Sequence, residues 1–138
     1  MISALDPVDE STMVAMTLSM KGDNIAARLL SFGAGVVRLV SSLPQERVGK
    51  HIGDQLLRSA TSGGANYEEA RSAQSRRDFV HKVSLAAKEM RESLYWLGLV
   101  EATDLAPGHD TGAIKAEGTE LVAILMSSAK TANKVDAA

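Results

Sequence analysis

Ile25, Leu29, Phe32, Val36, Leu39 and Leu43 recur at alternating steps of four and three residues. That spacing lines apolar side chains along one side of an α-helix. It predicts a first helix over Asp23–Leu43, with Asp23 as a capping residue and Pro44 closing the pattern. Leu30 and Val37 lie off the stripe, so this helix is apolar on two sides. A second helix is predicted over Gln45–Ala73, with Ile52, Leu56, Ala60, Gly63, Tyr67 and Ala70 facing a core. Its middle, Ser59 to Ala65, consists of small residues, and each glycine of the Gly63-Gly64 pair weakens an isolated helix by roughly 1 kcal/mol. Either the helix breaks there or a neighbouring backbone comes close. Apolar periodicity continues through the pair, which favours close approach.

A third helix is predicted over Arg76–Ala102, with Phe79, Val83, Ala86, Met90, Leu94 and Leu97 as its stripe. Ser75 and Asp78 have the spacing of a capping box, Asp replacing the usual Glu or Gln. Leu85 and Trp96 sit on a flank of this helix, which implies a second buried surface. Thr103 to Gly112 contains Pro107-Gly108 and reads as a loop. A fourth helix is predicted over Ala113–Asn133, with Ile114, Leu121, Leu125 and Ser128 inward. Residues 1–20 hold Pro7, acids and a weak apolar pattern. They are expected to form an N-terminal extension, frayed or partly disordered. No period-two alternation is present, so no sheet is expected. Residues 21–138 therefore predict an all-α, antiparallel up-down four-helix bundle.

Composition narrows this picture. The 138 residues are 45% hydrophobic and 23% charged, which suits one globular domain. Aromatic residues make up 4%, so the core is aliphatic with Ala and Met. The absence of cysteine excludes disulfides and thiolate-held metals, and a reducing cytoplasm is the expected setting. No apolar run approaches a membrane span, and the first residues lack the basic head of a secretory signal. The net charge of −2 is unevenly spread. Asp6, Asp9 and Glu10 stand at the start without a base, Arg71 to Arg91 is basic, and residues 101–138 are acidic. A basic middle hints at an anionic partner.

Candidate chemistry is sparse. Di-metal bundles need Glu-x-x-His on two helices, and this chain offers only Asp78-x-x-His81, with His51 and His109 elsewhere. No Gly-x-Ser-x-Gly elbow and no phosphate loop following a strand occurs. No cofactor, metal or enzymatic activity is expected. Two polar features stand out. Gln55, Arg58, Ser62, Asn66 and Glu69 form a row beside the core side of the second helix, with Glu89 and Glu92 of the third as partners. Arg58 is expected to be at least half buried and paired with one of these acids. The row is either a self-satisfying network or part of a surface between subunits. On the third helix, Arg77, His81, Ser84, Lys88, Arg91 and Tyr95 lie opposite the apolar stripe. Such a face tracks phosphates or is ordinary solvated surface. The candidate nucleic-acid contacts are Arg71, Arg76, Arg77, Lys82, Lys88 and Arg91.

The run Gln55-Leu56-Leu57-Arg58-Ser59-Ala60-Thr61-Ser62-Gly63-Gly64-Ala65-Asn66 resembles the signature of the four-helix-bundle proteins of bacterial 23S rRNA intervening sequences. The likeness continues through Glu68-Glu69-Ala70, Ser75-Arg76-Arg77-Asp78-Phe79, Ala86 to Ser93 and Tyr95-Trp96-Leu97. It spans roughly residues 21–133. The resemblance implies an antiparallel four-helix bundle assembled as a homopentameric ring, with no enzymatic activity. A related branch, the accessory variability determinant proteins of diversity-generating retroelements, implies RNA or a nucleoprotein as partner. Those proteins are strongly basic, whereas this chain is slightly acidic.

Overall fold

The computed structural model describes residues 7–137, with side chains through Lys134. Four helices follow one another: α1 (Glu10–Ser41), α2 (Arg47–Arg71), α3 (Arg76–Ala102) and α4 (Thr111–Ala137). No strand occurs among the described residues. α1 packs on α2 and α4, and α3 packs on the same two helices, while α1 and α3 are diagonal. The molecule is thus an all-α four-helix bundle with up-down connectivity.

The core follows the apolar stripes. Leu29, Val36, Leu39, Leu56, Val83, Met90, Leu97, Leu121 and Leu125 are buried in one cluster. Their burial, not intrinsic propensity, supplies most of the helices' stability. Three of the four helix starts spend a polar side chain on an otherwise unpaired backbone N–H, and α2, which starts after Glu46, does not. Ser75 Oγ accepts from the Asp78 N–H at 3.0 Å, and Asp110 accepts from the Ala113 N–H at 3.0 Å. In the connection before α4, Asp104 adopts φ 50°, the left-handed region that Asp tolerates better than most residues.

The α2–α3 seam is close because its residues are small. α2 runs unbroken through Gly63-Gly64. A Cβ on Gly63 would lie 2.6 Å from Met90 Sδ, so the missing side chain is the space Met90 occupies. Ser59 and Ser93, both fully buried, meet across the seam: Ser93 Oγ donates to Ser59 Oγ at 2.9 Å. Ser59 in turn is 3.3 Å from the Leu56 carbonyl. The α1–α4 seam is more open. Gly118 lets Phe32 and Leu94 approach α4, and Arg28 bridges to Glu117 at 2.5 Å and Glu120 at 3.1 Å.

The first helix departs from the sequence expectation. It begins at Glu10, capped by Asp9, whose carboxylate accepts from the Thr12 N–H at 2.7 Å. Asp23 is therefore no cap. It lies mid-helix and pairs with Arg71 at the end of α2. Residues 10–20 form helix because Asp9 caps them and neither Pro nor Gly interrupts them. Their weak apolar pattern reflects missing partners rather than missing structure, since every residue from Glu10 to Lys21 is exposed. The expectation for residues 1–6 lies outside the described residues. α1 is also long and apolar enough, by length and composition, to cross a membrane. Ile25, Leu29, Phe32, Val36 and Leu39 of the same helix are nevertheless buried against the bundle. Leu30 and Val37 remain exposed, Leu30 at 76%.

Candidate functional site

Helical phase decides where each charged residue of α3 points. Arg77, His81, Ser84, Lys88, Arg91 and Tyr95 share the face turned away from the core, while Lys82 falls on the α2 side. There Lys82 Nζ meets Glu69 at 3.0 Å, and this hydrogen bond raises the lysine's pKa. Arg71 is similarly engaged at the end of α2. It pairs with Asp23 and lies 3.7 Å from Glu68, and the bond to Asp23 raises its pKa. Both cations are held by carboxylates within the fold. The six basic candidates are thus not one surface. Arg71 and Lys82 belong to ion pairs with α1 and α2, whereas Lys88 and Arg91 face the junction with α4.

At that junction lies a groove of about 640 Å³ lined by Ser84, Ala87, Lys88, Arg91, Met126, Ala129, Lys130, Asn133 and Lys134. Four cations border it and, among the described residues, no carboxylate does. Its floor is apolar, from Ala87, Met126 and Ala129, and Arg91 lies across it with a guanidinium nitrogen 2.8 Å from Met126 Sδ. Lys130 and Lys134 were absent from the sequence-derived set because residues 101–138 are acidic as a whole. Among the described residues, the acids of α4 are drawn away from the groove. Glu117 and Glu120 occupy the first half and are drawn to Arg28, Lys115 beside them pairs with Glu101, and Lys130 and Lys134 stand in the second half. The readable signal was the Met126, Lys130, Lys134 spacing of four residues, which places all three on one helix face.

The polar row of α2 lies on the other flank of α3. Arg58 reaches Glu89 at 3.1 Å, also contacts Glu92, and keeps 47% of its side chain exposed. Gln55 Oε1 lies 3.4 Å from the same guanidinium. Glu92 additionally accepts from Trp96 Nε1 at 3.0 Å, and Trp96 packs edge-on to His51 and Tyr95. Asn66 donates to the Ser62 carbonyl at 3.0 Å, and Glu69 ends the row in its pair with Lys82. The row orders the α2–α3 edge and leaves no buried side-chain polar atom without a partner among the described residues. No cluster of three or more potential metal ligands occurs among them either.

The fold and these two edges define a four-helix bundle whose chemistry is electrostatic. The sequence pattern of the 23S rRNA-intervening sequence protein family matches residues 24–127, and the chain belongs to that family. A similar solved structure is the crystal structure of a protein with unknown function from the S23 ribosomal protein family of Bacteroides thetaiotaomicron. It is 36% identical, with a TM-score of 0.73, and the alignment covers 80% of this chain and 98% of that one. No curated protein matches.

Proposed function

We propose that the protein is a non-enzymatic, homopentameric adaptor of the cytoplasm that binds RNA, or a nucleoprotein, through the outer face of α3 and its groove with α4. The observation that supports this reading is the set Lys88, Arg91, Lys130 and Lys134 around one groove that no acid borders among the described residues. Arg77 extends the same face. A ring would repeat this modest patch, and linked weak sites gain from effective concentration. The 23S rRNA-intervening sequence family gives the RNA reading its context.

Affinity for single-stranded RNA is expected to fall with salt, each phosphate contact contributing about 0.7 to the log–log slope. Replacing Lys88 and Lys130 with Gln should flatten that slope, and sedimentation should give the mass of five chains. The competing reading is a protein–protein scaffold, favoured by the net charge of −2. It takes precedence if RNA fails to bind at low salt, or if the double replacement leaves the slope unchanged.

A further inference from the structure

The part of α1 before Gly22 is an arm without a partner. Val8, Met13, Val14, Met16, Leu18 and Met20 all lie about half exposed or more, Met20 at 68%. Scattered apolar residues on a surface are ordinary, but a contiguous patch is a contact site. Here five large apolar side chains crowd a few helical turns, and Val8 just precedes them. Val14 and Leu18 prolong the stripe that Ile25 and Leu29 bury further along. Met13, Met16 and Met20 form a separate row of flexible, adaptable side chains on the far side of the helix, roughly 150° round from that stripe. The arm is acidic at its tip, with Asp9 and Glu10, and has no base before Lys21. It also lies outside the span matched by the family, residues 24–127.

The α3–α4 groove has the opposite character at its rim and the same character at its floor. Lys88, Arg91, Lys130 and Lys134 surround Ala87, Met126 and Ala129. Lengths agree as well. At 1.5 Å per residue the arm from Glu10 to Met20 is about 15 Å long, and the groove side of α4 from Met126 to Lys134 is about 12 Å. The arm does not reach its own groove. α1 is one unbroken helix from Glu10 to Ser41, packed on α2 and α4 and not on α3.

We propose that the acidic, methionine-rich arm of one copy of this chain docks in the cationic α3–α4 groove of a second copy. Asp9 and Glu10 meet the rim lysines, and the methionine row Met13, Met16 and Met20 covers the floor. Opposite charges set the register and the methionine row supplies the buried area. This contact goes beyond the adaptor reading and does not require it. Where RNA also uses the groove, arm and RNA compete for Lys88 and Arg91.

The chain has no cysteine, so single cysteines report the contact cleanly. Met16→Cys and Met126→Cys variants of the full chain are mixed and oxidised. The expected result is a disulfide-linked dimer in the mixture and its absence from either variant alone. Lys130→Glu with Lys134→Glu in the Met126→Cys chain should abolish the product, and Glu10→Lys in the Met16→Cys chain, which keeps the Asp9 cap, should restore part of it. Three results overturn the proposal. One is no cross-link in the mixture. Another is equally efficient linkage of Met16→Cys with itself, which would mean that arms pair with arms. The third is a cross-link indifferent to both charge reversals. Because the arm buries nothing in its own bundle, none of these variants removes a core contact of α1.

Discussion

Between α2 and α3 the backbones approach over Ser59, Ala60 and Gly63, and Met90 fills the space a side chain would take. Between α1 and α4 contact is shorter, and the half-buried Arg28 spans it to two carboxylates. Ion pairs edge both seams, from Arg58 and Lys82 at the first and Arg28 at the second, but the first adds the longer close-packed interior. The difference teaches where stability resides. Dispersion and apolar burial add over every atom in a close seam, whereas solvent screens a partly exposed ion pair. The long-range charge pairs of this molecule therefore fix alignment more than they hold it together.

The largest test of that contrast is Met90→Ala. It empties the space above Gly63, and chemical denaturation should show a loss of about 2–5 kcal/mol. A loss below the Arg28 effect would invert the ranking of the seams. Next comes the buried hydroxyl pair. Ser59→Ala alone should cost about 1 kcal/mol, since Ser93 loses a partner. Adding Ser93→Ala should recover much of it, because both polar groups are then gone. Additive losses would show that the two serines act separately.

The smallest effect is expected at the α1–α4 seam. Arg28→Met should cost about 0.5–1 kcal/mol at neutral pH and less in high salt. It should also change the acid response. The hydrogen bonds from Arg28 hold the Glu117 carboxyl below its ordinary 4.5 in the folded protein. A depressed folded value gives stability that is present above the unfolded value and lost as pH falls through the folded one. Thermal melts between pH 5 and pH 3, a window of ordinary carboxylate titration, should fall more steeply for the natural chain than for Arg28→Met. Parallel curves would remove Glu117 from the acid response.

Much of this was legible in the sequence because helices advertise their buried side. The stripes of α2 and α3 and the Ser75 cap follow from residue type and period alone. So does the choice of close approach over a break at Gly63-Gly64, since Met90 lies one helix away. The start of α1 was not legible. A period-based reading finds helix where helix is packed, and Glu10 to Lys21 is helix without packing. The groove was half legible. Lys88 and Arg91 belong to a visibly basic helix, while Lys130 and Lys134 were masked by acids on the same helix that turn toward Arg28. Arg71 and Lys82 looked like surface charge, and only the fold shows Asp23 and Glu69 beside them.

The single helix that is packed along one part and bare along another also sets a gradient in backbone opening. An isolated helix as short as Glu10–Lys21 would be marginal in water, because nucleating the first turn is unfavourable. Here the nucleus already exists in the bundle, so the arm grows by propagation alone. It also opens turn by turn from its outer end, without unfolding anything else. Amide hydrogens from Ile25 to Leu39 should exchange only with the core, and those before Gly22 progressively faster toward Glu10. A partner that seats the arm would erase that gradient, making exchange along α1 a direct gauge of how much of the arm is covered.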